Sequence, residues 1–290
     1  MERIKQQIKE FKDKNVKFIR PIFVDILGRM LDFTIPIEDF EDLIKNGKGF
    51  DGSSVEGFAR TEESDLRFIP DINTLTILPW EYKGIENSWR EAIVFGHIID
   101  SSGKEYEGDT RSLLKNIIEK YEDIGTLKCG AEIEFFIFEN DKSPKHTDEG
   151  GYFRSGLYGE IRKEAQLALN EMGIKTEFDH HEVSPSQHEI DLSYTNAFKM
   201  ADGIILTKYV VKRIARKYGV YASFMPKPIA GINGNGMHLH LSLWKDGKNL
   251  FFDKEKQGLS DIAKSYIAGL IKYGKDIQAA LNPVSYTHLR

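Results

Sequence analysis

Hydrophobic and polar residues alternate along this chain with helical spacing in some segments and strand spacing in others. Within residues 1–15, Ile4, Ile8 and Phe11 recur at helical spacing among charged residues, so this segment is predicted to be an amphipathic helix rather than a signal peptide. Short β-rich runs follow, at VKFIRPIFVDI, MLDFTIPI, TLTILPW and EAIVFGHIID, with a helix near residues 38–45. We therefore predict a small α+β domain over residues 1–103.

A polar segment with two glycines, SSGKEYEGDT, separates this domain from the rest of the chain. A helix follows it, with Asp109 or Thr110 as the N-cap. Strands are then predicted at CGAEIEFFIF, HEIDLSY and MHLHLSLW, and helices at IRKEAQLALNEMG, MADGIILTKYVVKRIARKYG and SDIAKSYIAGLIKYGKDIQAAL. The mixture of hairpin-like and crossover connections favours an α+β class over a doubly wound sheet for this second domain, residues 104–290.

Composition and charge exclude several classes of function. The 40 basic and 45 acidic residues give a net charge of −5 without a basic stripe, so no nucleic-acid partner is expected. No apolar run approaches the ~20 residues of a membrane span, and the single cysteine, Cys129, is predicted to be a structural thiol in a reducing compartment. We expect a cytoplasmic protein. No GxGxxG loop follows the first predicted strand, and no GxxxxGK[ST] loop occurs anywhere in the sequence, so the two commonest nucleotide-binding loops are not found.

The run CGAEIEFFIF carries two carboxylates on one face of a predicted strand. Side chains alternate along a strand, so Glu132 and Glu134 point the same way. Burying two like charges without compensation costs several kcal/mol, and a bound cation would remove that cost. Taken alone, an ExE pattern more often marks the solvated face of an edge strand.

The run MHLHLSLW repeats this two-faced pattern with His238, His240 and Ser242 on one side. A neutral imidazole binds divalent metals, while a second histidine and a serine can contact a phosphate or a nucleobase. An HxH strand is also similar to cupin-type metal sites, but that pattern expects a glutamate a few residues later, and here WKD follows.

Two further acids flank a proline-containing turn in HHEVSPSQHEI, at Glu182 and Glu189. An oxygen-rich set of ligands suits Mg²⁺ or Mn²⁺ better than Zn²⁺. Two glycine-rich segments, KNGKGFDGSSVEGF and AGINGNGMH, complete the candidate chemistry. Each segment also fits a plain turn. In the first segment, the Asp51 side chain would then hydrogen-bond to nearby backbone groups.

Five segments in this order, FDGSSVEGF, GAEIEFF, HHEVSPSQHEI, FMPKP and NGNGMHLHLS, closely resemble the signature segments of type I glutamine synthetases. The resemblance implies an N-terminal β-grasp domain and a catalytic α+β domain whose sheet forms a funnel, with ATP entering one end and glutamate the other. It implies ATP-dependent ligation of ammonia to glutamate through γ-glutamyl phosphate, with glutamine, ADP and phosphate as products.

The resemblance also assigns roles to individual residues and implies two Mg²⁺ or Mn²⁺ ions per site, with ATP as a substrate. One ion would be held by Glu134, Glu182 and Glu189, and the other by Glu132 and His238. The substrate glutamate would contact Asn233, Gly234 and His238, and the nucleotide would contact Glu177, His240 and Ser242. Asp51 would bind and deprotonate ammonium in a neighbouring subunit's site, so a homo-oligomer is expected, which is a dodecamer in the family.

Family chains continue beyond residue 290 into a flap glutamate, a second acid for the ion on the ATP side, and arginines that contact glutamate and phosphates. They also follow their Asn-Pro pair with an Asn-Ser-Tyr-Lys-Arg-Leu run, where this chain has VSYTHLR. We therefore expect a catalytic domain that is incomplete at its C-terminus and a 290-residue chain that is inactive alone.

Two other functions stay open for the parent protein. A related γ-glutamyl ligase would act on an amine larger than ammonia, and the retained DGSS aspartate argues for ammonia. A catalytically silent homologue would serve as a structural or regulatory oligomer, and the retained metal ligands argue against it.

Overall fold

The computed structural model describes residues 2–60 and 64–281, and the chain forms two compact units, Met1–Lys120 and Tyr121–Arg290. The helix over residues 110–120, which we predicted to begin the second domain, lies in the first compact unit. A domain boundary after residue 103 stays a prediction. The VSYTHLR run lies outside the described residues.

The first unit is a mixed sheet with helices. Its elements are α1 (Glu2–Asp13), β1 (Val16–Val24), β2 (Met30–Asp32), β3 (Ile35–Pro36), α2 (Phe40–Asn46), β4 (Lys48–Asp51), β5 (Asp65–Pro70), β6 (Thr76–Ile77), β7 (Tyr82–Lys83), β8 (Ser88–Ile99) and α3 (Thr110–Lys120). The main strand order is β2-β1-β8-β5-β4. Strands β1 and β8 are parallel and the other pairs are antiparallel. The predicted TLTILPW strand is reduced to the two residues of β6.

Apolar side chains from the sheet and from two helices form one core in this unit. Phe11 of α1 and Phe40 and Leu43 of α2 belong to the same buried cluster as Phe68 of β5 and Ile98 of β8. This burial explains why two short helices, each marginal in isolation, are stable here.

A buried carboxylate fixes the start of α3. Asp109 Oδ2 accepts hydrogen bonds from the backbone N–H of Ser112 at 3.1 Å, from the Ser112 hydroxyl at 2.6 Å and from the Ile98 N–H at 3.2 Å. Burial alone would raise the pKa of Asp109, but these hydrogen bonds and one from His97 lower it overall. The structure confirms Asp109 as the N-cap.

Phe68 provides a test of the core of the first unit. Its side chain is fully buried, with its ring 5.6 Å from the ring of Phe33. Because Phe68→Ala removes a ring from a packed interior, we expect the free energy of unfolding to fall by about 3–5 kcal/mol. Urea denaturation followed by circular dichroism measures this. The matched control is Ile85→Ala, a fully exposed position where no more than about 0.5 kcal/mol should change. Equal effects from the two variants would contradict this description of the core.

The second unit is built on an antiparallel sheet. Its elements are β9 (Thr126–Phe138), α4 (Gly159–Glu171), β10 (Thr176–His181), β11 (Gln187–Asn196), α5 (Ala197–Lys217), β12 (Tyr221–Ser223), β13 (Met237–Lys245), β14 (Lys248–Asn249), β15 (Phe252–Asp253), β16 (Gly258–Leu259) and α6 (Asp261–Leu281). The main strand order is β10-β11-β9-β13-β14, and β12 pairs with the end of β9. All of these pairs are antiparallel, which agrees with the predicted α+β class.

The two faces of this sheet differ in character. On one face, Ile133, Phe135 and Ile137 of β9 are fully buried, and α4 and α5 pack against strands of the sheet. The alternate residues of β9 include Glu132 and Glu134, as the strand period predicted. The helices therefore leave the carboxylate-bearing face for other contacts. No helix within residues 2–60 and 64–281 is long and apolar enough to cross a membrane.

Candidate active site

Three neighbouring strands bring predicted acid and imidazole residues side by side. Glu132 on β9 pairs directly with His238 on β13 and with Asp191 on β11, and Glu134 pairs with Glu189. Directly opposed residues of antiparallel strands point to the same face of a sheet. The sheet therefore gathers carboxylates and imidazoles that are far apart in the sequence.

One group in this cluster centres on Glu132. Its two carboxylate oxygens lie 2.9 Å from His238 Nδ1 and 2.5 Å from His240 Nε2. Burial alone would raise the pKa of Glu132, but hydrogen bonds from His240 and His238 lower it overall, so the side chain is an anion at neutral pH. The histidine side chains are 71% and 68% exposed, which leaves both imidazoles accessible to a ligand.

A second group contains Glu182, Glu189 and His180. His180 Nε2 lies 3.1 Å from Glu189 Oε1, and His180 Nδ1 lies 3.5 Å from Glu182 Oε1. One ligand atom from each residue falls within 4.8 Å of the others. Sequence reasoning missed His180, although its place two residues before Glu182 was a usable signal. This spacing allows the three side chains to bind one metal ion.

The acids on this face are too crowded to ionise together without a cation. The pKa of Glu189 is raised to about 9, and burial is the largest cause. A hydrogen bond to Asp191 and the nearby charges of Glu134 and Glu182 raise it further. Burial also raises the pKa values of Glu134 and Asp191. A divalent cation would compensate the same charges, and carboxylate oxygens with one or two imidazoles are a donor set that fits Mg²⁺ or Mn²⁺.

A glutamine fixes Glu134 against a glycine-rich loop. Gln187 Nε2 donates to Glu134 Oε2 at 2.7 Å and to the Gly234 carbonyl at 2.9 Å. At Gly234 the backbone of the loop passes very close to Pro226, so a Cβ there would lie 2.2 Å from the Pro226 carbonyl oxygen. Only glycine fits this approach. Gln187 was not predicted, and its place two residues before Glu189 on the same strand was the available signal.

The predicted glutamate-binding residues lie beside this contact. Asn233 directly precedes Gly234, and its carbonyl accepts a hydrogen bond from the Ser184 hydroxyl at 3.4 Å. The structure therefore brings Asn233 and Gly234 to the same edge of the cluster as Glu134.

The turn between Glu182 and Glu189 is held from behind by Asp148. Ser186 adopts a left-handed φ of 63°, and its N–H donates to Asp148 Oδ1 at 2.7 Å. His181 bridges the same carboxylate, at 3.2 Å, and the Glu182 carbonyl, at 2.6 Å. These contacts fix where the two acids leave the turn, and no local sequence pattern revealed Asp148.

Asp148, His181 and His188 also lie close enough together to suggest a second metal site. Arg162, however, donates to His188 Nδ1, so the other ring nitrogen of the neutral imidazole carries the hydrogen. Burial, aided by the Arg162 charge, holds the pKa of His188 well below its usual value, while Asp148 raises that of His181. The arrangement is an ionic network next to a fixed positive charge rather than a metal site.

An aromatic surface adjoins the predicted nucleotide residue Ser242. Trp244 Nε1 donates to Ser242 Oγ at 2.9 Å, and the Trp244 and Tyr194 rings are nearly parallel, with centroids 6.3 Å apart. Lys128 Nζ lies 4.2 Å from the Trp244 ring centroid. Neither aromatic residue was predicted, because their proximity depends on strand pairing.

The other two predicted site residues are less connected to the cluster. Glu177 is an exposed residue on β10 whose charge acts on Asp191. Asp51 lies in the first unit and accepts hydrogen bonds from Ser53 and Ser54 at 2.7–2.9 Å. Those bonds lower the pKa of Asp51, and they form the self-contained turn that was the alternative interpretation.

Comparison with family models decides the family. A model described as "Glutamine synthetase, catalytic domain" matches residues 107–290, and one described as "Glutamine synthetase, beta-Grasp domain" matches residues 15–101. This chain belongs to the glutamine synthetase family. The predicted β-grasp and catalytic α+β folds are confirmed.

Similar proteins agree with this placement. The glutamine synthetase of Methanosarcina mazei is 42% identical over 288 residues, a match that covers 96% of this chain and 64% of the relative. That of Methanocaldococcus jannaschii is 41% identical, with 99% and 66% covered. The chain therefore spans just under two thirds of the length of these two relatives.

Solved structures show the same fold. Plasmodium falciparum glutamine synthetase matches with a TM-score of 0.84 at 26% identity, covering 97% of this chain and 62% of the other. An ADP complex of GmaS matches with a TM-score of 0.87 at 28% identity, covering 98% and 66%.

Gln187 tests whether the cluster is organised for a cation. Gln187→Met keeps the side-chain volume but removes the donor that holds Glu134, so we expect Mn²⁺ affinity to fall about tenfold or more. Isothermal titration of the 290-residue chain with Mn²⁺ measures this. Gln6→Met, on the exposed surface of α1, is the matched control and should bind as the parent does. Unchanged affinity in Gln187→Met would contradict the assigned role.

Proposed function

We propose that this protein is a glutamate–ammonia ligase that uses ATP to make glutamine, ADP and phosphate through γ-glutamyl phosphate. The observation that supports this most strongly is the convergence of two carboxylate and imidazole groups on one sheet face, in a chain of the glutamine synthetase family. Activity, substrates and assembly are proposals for the whole protein.

Two divalent ions, Mg²⁺ or Mn²⁺, are proposed to bind this face. Glu134, Glu182 and Glu189 would hold one of them, and Glu132 and His238 would hold the other. When bound, such ions neutralise the negative oxygens that meet as a phosphoryl group moves from ATP to a carboxylate. The crowding of acids, which burial keeps partly protonated in the free chain, supports this assignment.

Glutamate is proposed to bind at Asn233, Gly234 and His238. The backbone at Gly234 passes so close to the Pro226 carbonyl that no side chain fits there. The Gln187 hydrogen bonds to both Glu134 and Gly234 would hold the substrate loop at a fixed position relative to the metal-binding acid.

The nucleotide is proposed to lie along the other end of β13, near Glu177, His240 and Ser242. The Tyr194 and Trp244 rings offer flat surfaces for a purine base, and Lys128 adds a positive charge beside them. His240 lies between this surface and Glu132, where a phosphate chain would pass towards the metal-binding acids.

Asp51 is proposed to act on ammonium, from a neighbouring subunit of a homo-oligomer. A carboxylate is a poor electrophile until its oxygen is phosphorylated, and ammonium must lose a proton before it can attack. The hydrogen bonds from Ser53 and Ser54 lower the pKa of Asp51, so it is a stable anion but a weak base. Attraction of the ammonium cation is therefore the stronger part of its proposed role.

Nucleotide binding can be measured on the 290-residue chain itself. The chain has three tryptophans, of which Trp80 and Trp89 lie in the first unit and Trp244 lies in the second. We expect a non-hydrolysable ATP analogue with Mn²⁺ to quench the emission of Trp244, because a stacked base changes the surroundings of the indole. The change should vanish in Trp244→Phe and persist in Trp89→Phe. A signal that survives loss of Trp244 would place the nucleotide elsewhere.

The reaction is best tested with protein expressed from its complete native gene. We expect phosphate release that requires both glutamate and ammonium, and a decrease in kcat of about 100-fold or more in Glu132→Gln, which loses a charge at the metal cluster. Lys142→Gln, an exposed residue of the 139–147 loop, is the control. Turnover with ethanolamine or polyamines but not with ammonium would replace the proposal with a larger-amine ligase. Cation binding without any turnover would favour a silent homologue.

A further inference from the structure

Asp191 lies between the residues proposed to hold the two cations. It pairs across the strands with Glu132, which pairs on its other side with His238, so the three side chains stand abreast on β11, β9 and β13. Asp191 also follows Glu189 by two residues on β11, which places both on the same face. Opposed residues in such rows have Cβ atoms about 4.5–5.5 Å apart, close enough to share one ion.

One carboxylate oxygen of Asp191 has no hydrogen-bond partner within residues 2–60 and 64–281. The residue is only 6% exposed, and among the described residues its Oδ1 is buried without a hydrogen-bond partner. The side chain does share a hydrogen bond with Glu189, and the charged groups that act on it are two acids, Glu132 and Glu177, and one imidazole, His180. Its surroundings are therefore mainly acidic, and a buried carboxylate oxygen in such a place needs a cation.

Asp179, on the adjacent strand β10, is a carboxylate with a structural role and can be compared with Asp191. Asp179 points to the helix-covered face, where Arg162 donates to one oxygen and Gln166 donates to the other at 2.6 Å. Both oxygens are satisfied by side chains of α4. The unsatisfied oxygen of Asp191 lies on the opposite face, where the candidate metal ligands lie.

We propose that Asp191 is a direct ligand of the divalent cation assigned to Glu132 and His238. The inference rests on the proposed function and extends it by one residue. Asp191 would give that ion a second carboxylate from the sheet itself. A purely structural role is the alternative, in which Asp191 only orients Glu189 through their hydrogen bond.

The first experiment removes the charge and keeps the shape. Mn²⁺ binding to the 290-residue chain is measured by electron paramagnetic resonance for the parent, for Asp191→Asn and for Glu139→Gln. An asparagine can still hydrogen-bond Glu189, so a structural role predicts parental affinity, whereas a ligand role predicts a loss of about tenfold or more at one of the two ions. Glu139→Gln makes the same change in net charge at an exposed residue just after β9 and should bind as the parent does.

A second measurement needs no substitution at all. The chain is made by cell-free synthesis with aspartate labelled with ¹³C at the side-chain carboxyl, and electron–nuclear double resonance is recorded on bound Mn²⁺. The other proposed ligands are glutamate and histidine residues, so a directly coupled ¹³C signal from aspartate supports Asp191. Absence of that coupling, or parental affinity in a folded Asp191→Asn chain, overturns the proposal.

A parallel sample labelled at the glutamate carboxyl separates the two levels of inference. Coupling from glutamate without coupling from aspartate rejects only the role of Asp191. Failure of the parent chain to bind Mn²⁺ rejects the proposed metal site and the role of Asp191 together.

Discussion

The repulsion between carboxylates on one face of the antiparallel sheet is the constraint on which this structure depends. Glu132, Glu134, Glu189 and Asp191 are held within neighbouring rows by strand pairing, which the chain cannot relax without losing backbone hydrogen bonds. Burial then disfavours ionisation, as the raised pKa of Glu189 shows. The free energy of this arrangement is lowered by protons or by cations, which explains why a stable fold can carry a site of this composition.

The sheet separates charges that the protein satisfies by itself from charges that need a solute. Behind the sheet, Arg162 and Gln166 of α4 satisfy Asp179, and His181 pairs with Asp148. In front of it, the acids contact one another, three imidazoles and the Gln187 amide, and no lysine or arginine pairs with them among the described residues. A static network on one face keeps the strands rigid, so the groups on the other face are positioned before any ligand arrives.

Local pattern was sufficient for some features and insufficient for others. Alternation within a single strand predicted that Glu132 and Glu134 share a face, and helical spacing located the three helices of the second unit to within a few residues. The polar strand TEFDHH was missed, because it has no alternation to detect. Register between strands cannot be read from either strand alone, so the proximity of Asp191 to Glu132 was also missed. The stacking of Tyr194 and Trp244 has the same non-local origin.

Ser186, which has a left-handed backbone conformation and is hydrogen-bonded to Asp148, also determines which side chains of β11 lie on each face of the sheet. Successive side chains of β11 point to opposite faces of the sheet. The number of residues between Ser186, which is hydrogen-bonded to Asp148, and Glu189 therefore decides on which face each side chain of β11 lies. Inserting or deleting one residue there would exchange His188 and Glu189, sending an imidazole to the solute face and a carboxylate into the ionic network around Arg162. A change of length in the three residues from Ser186 to His188 would therefore have to come in pairs to keep Glu189 beside the other acids.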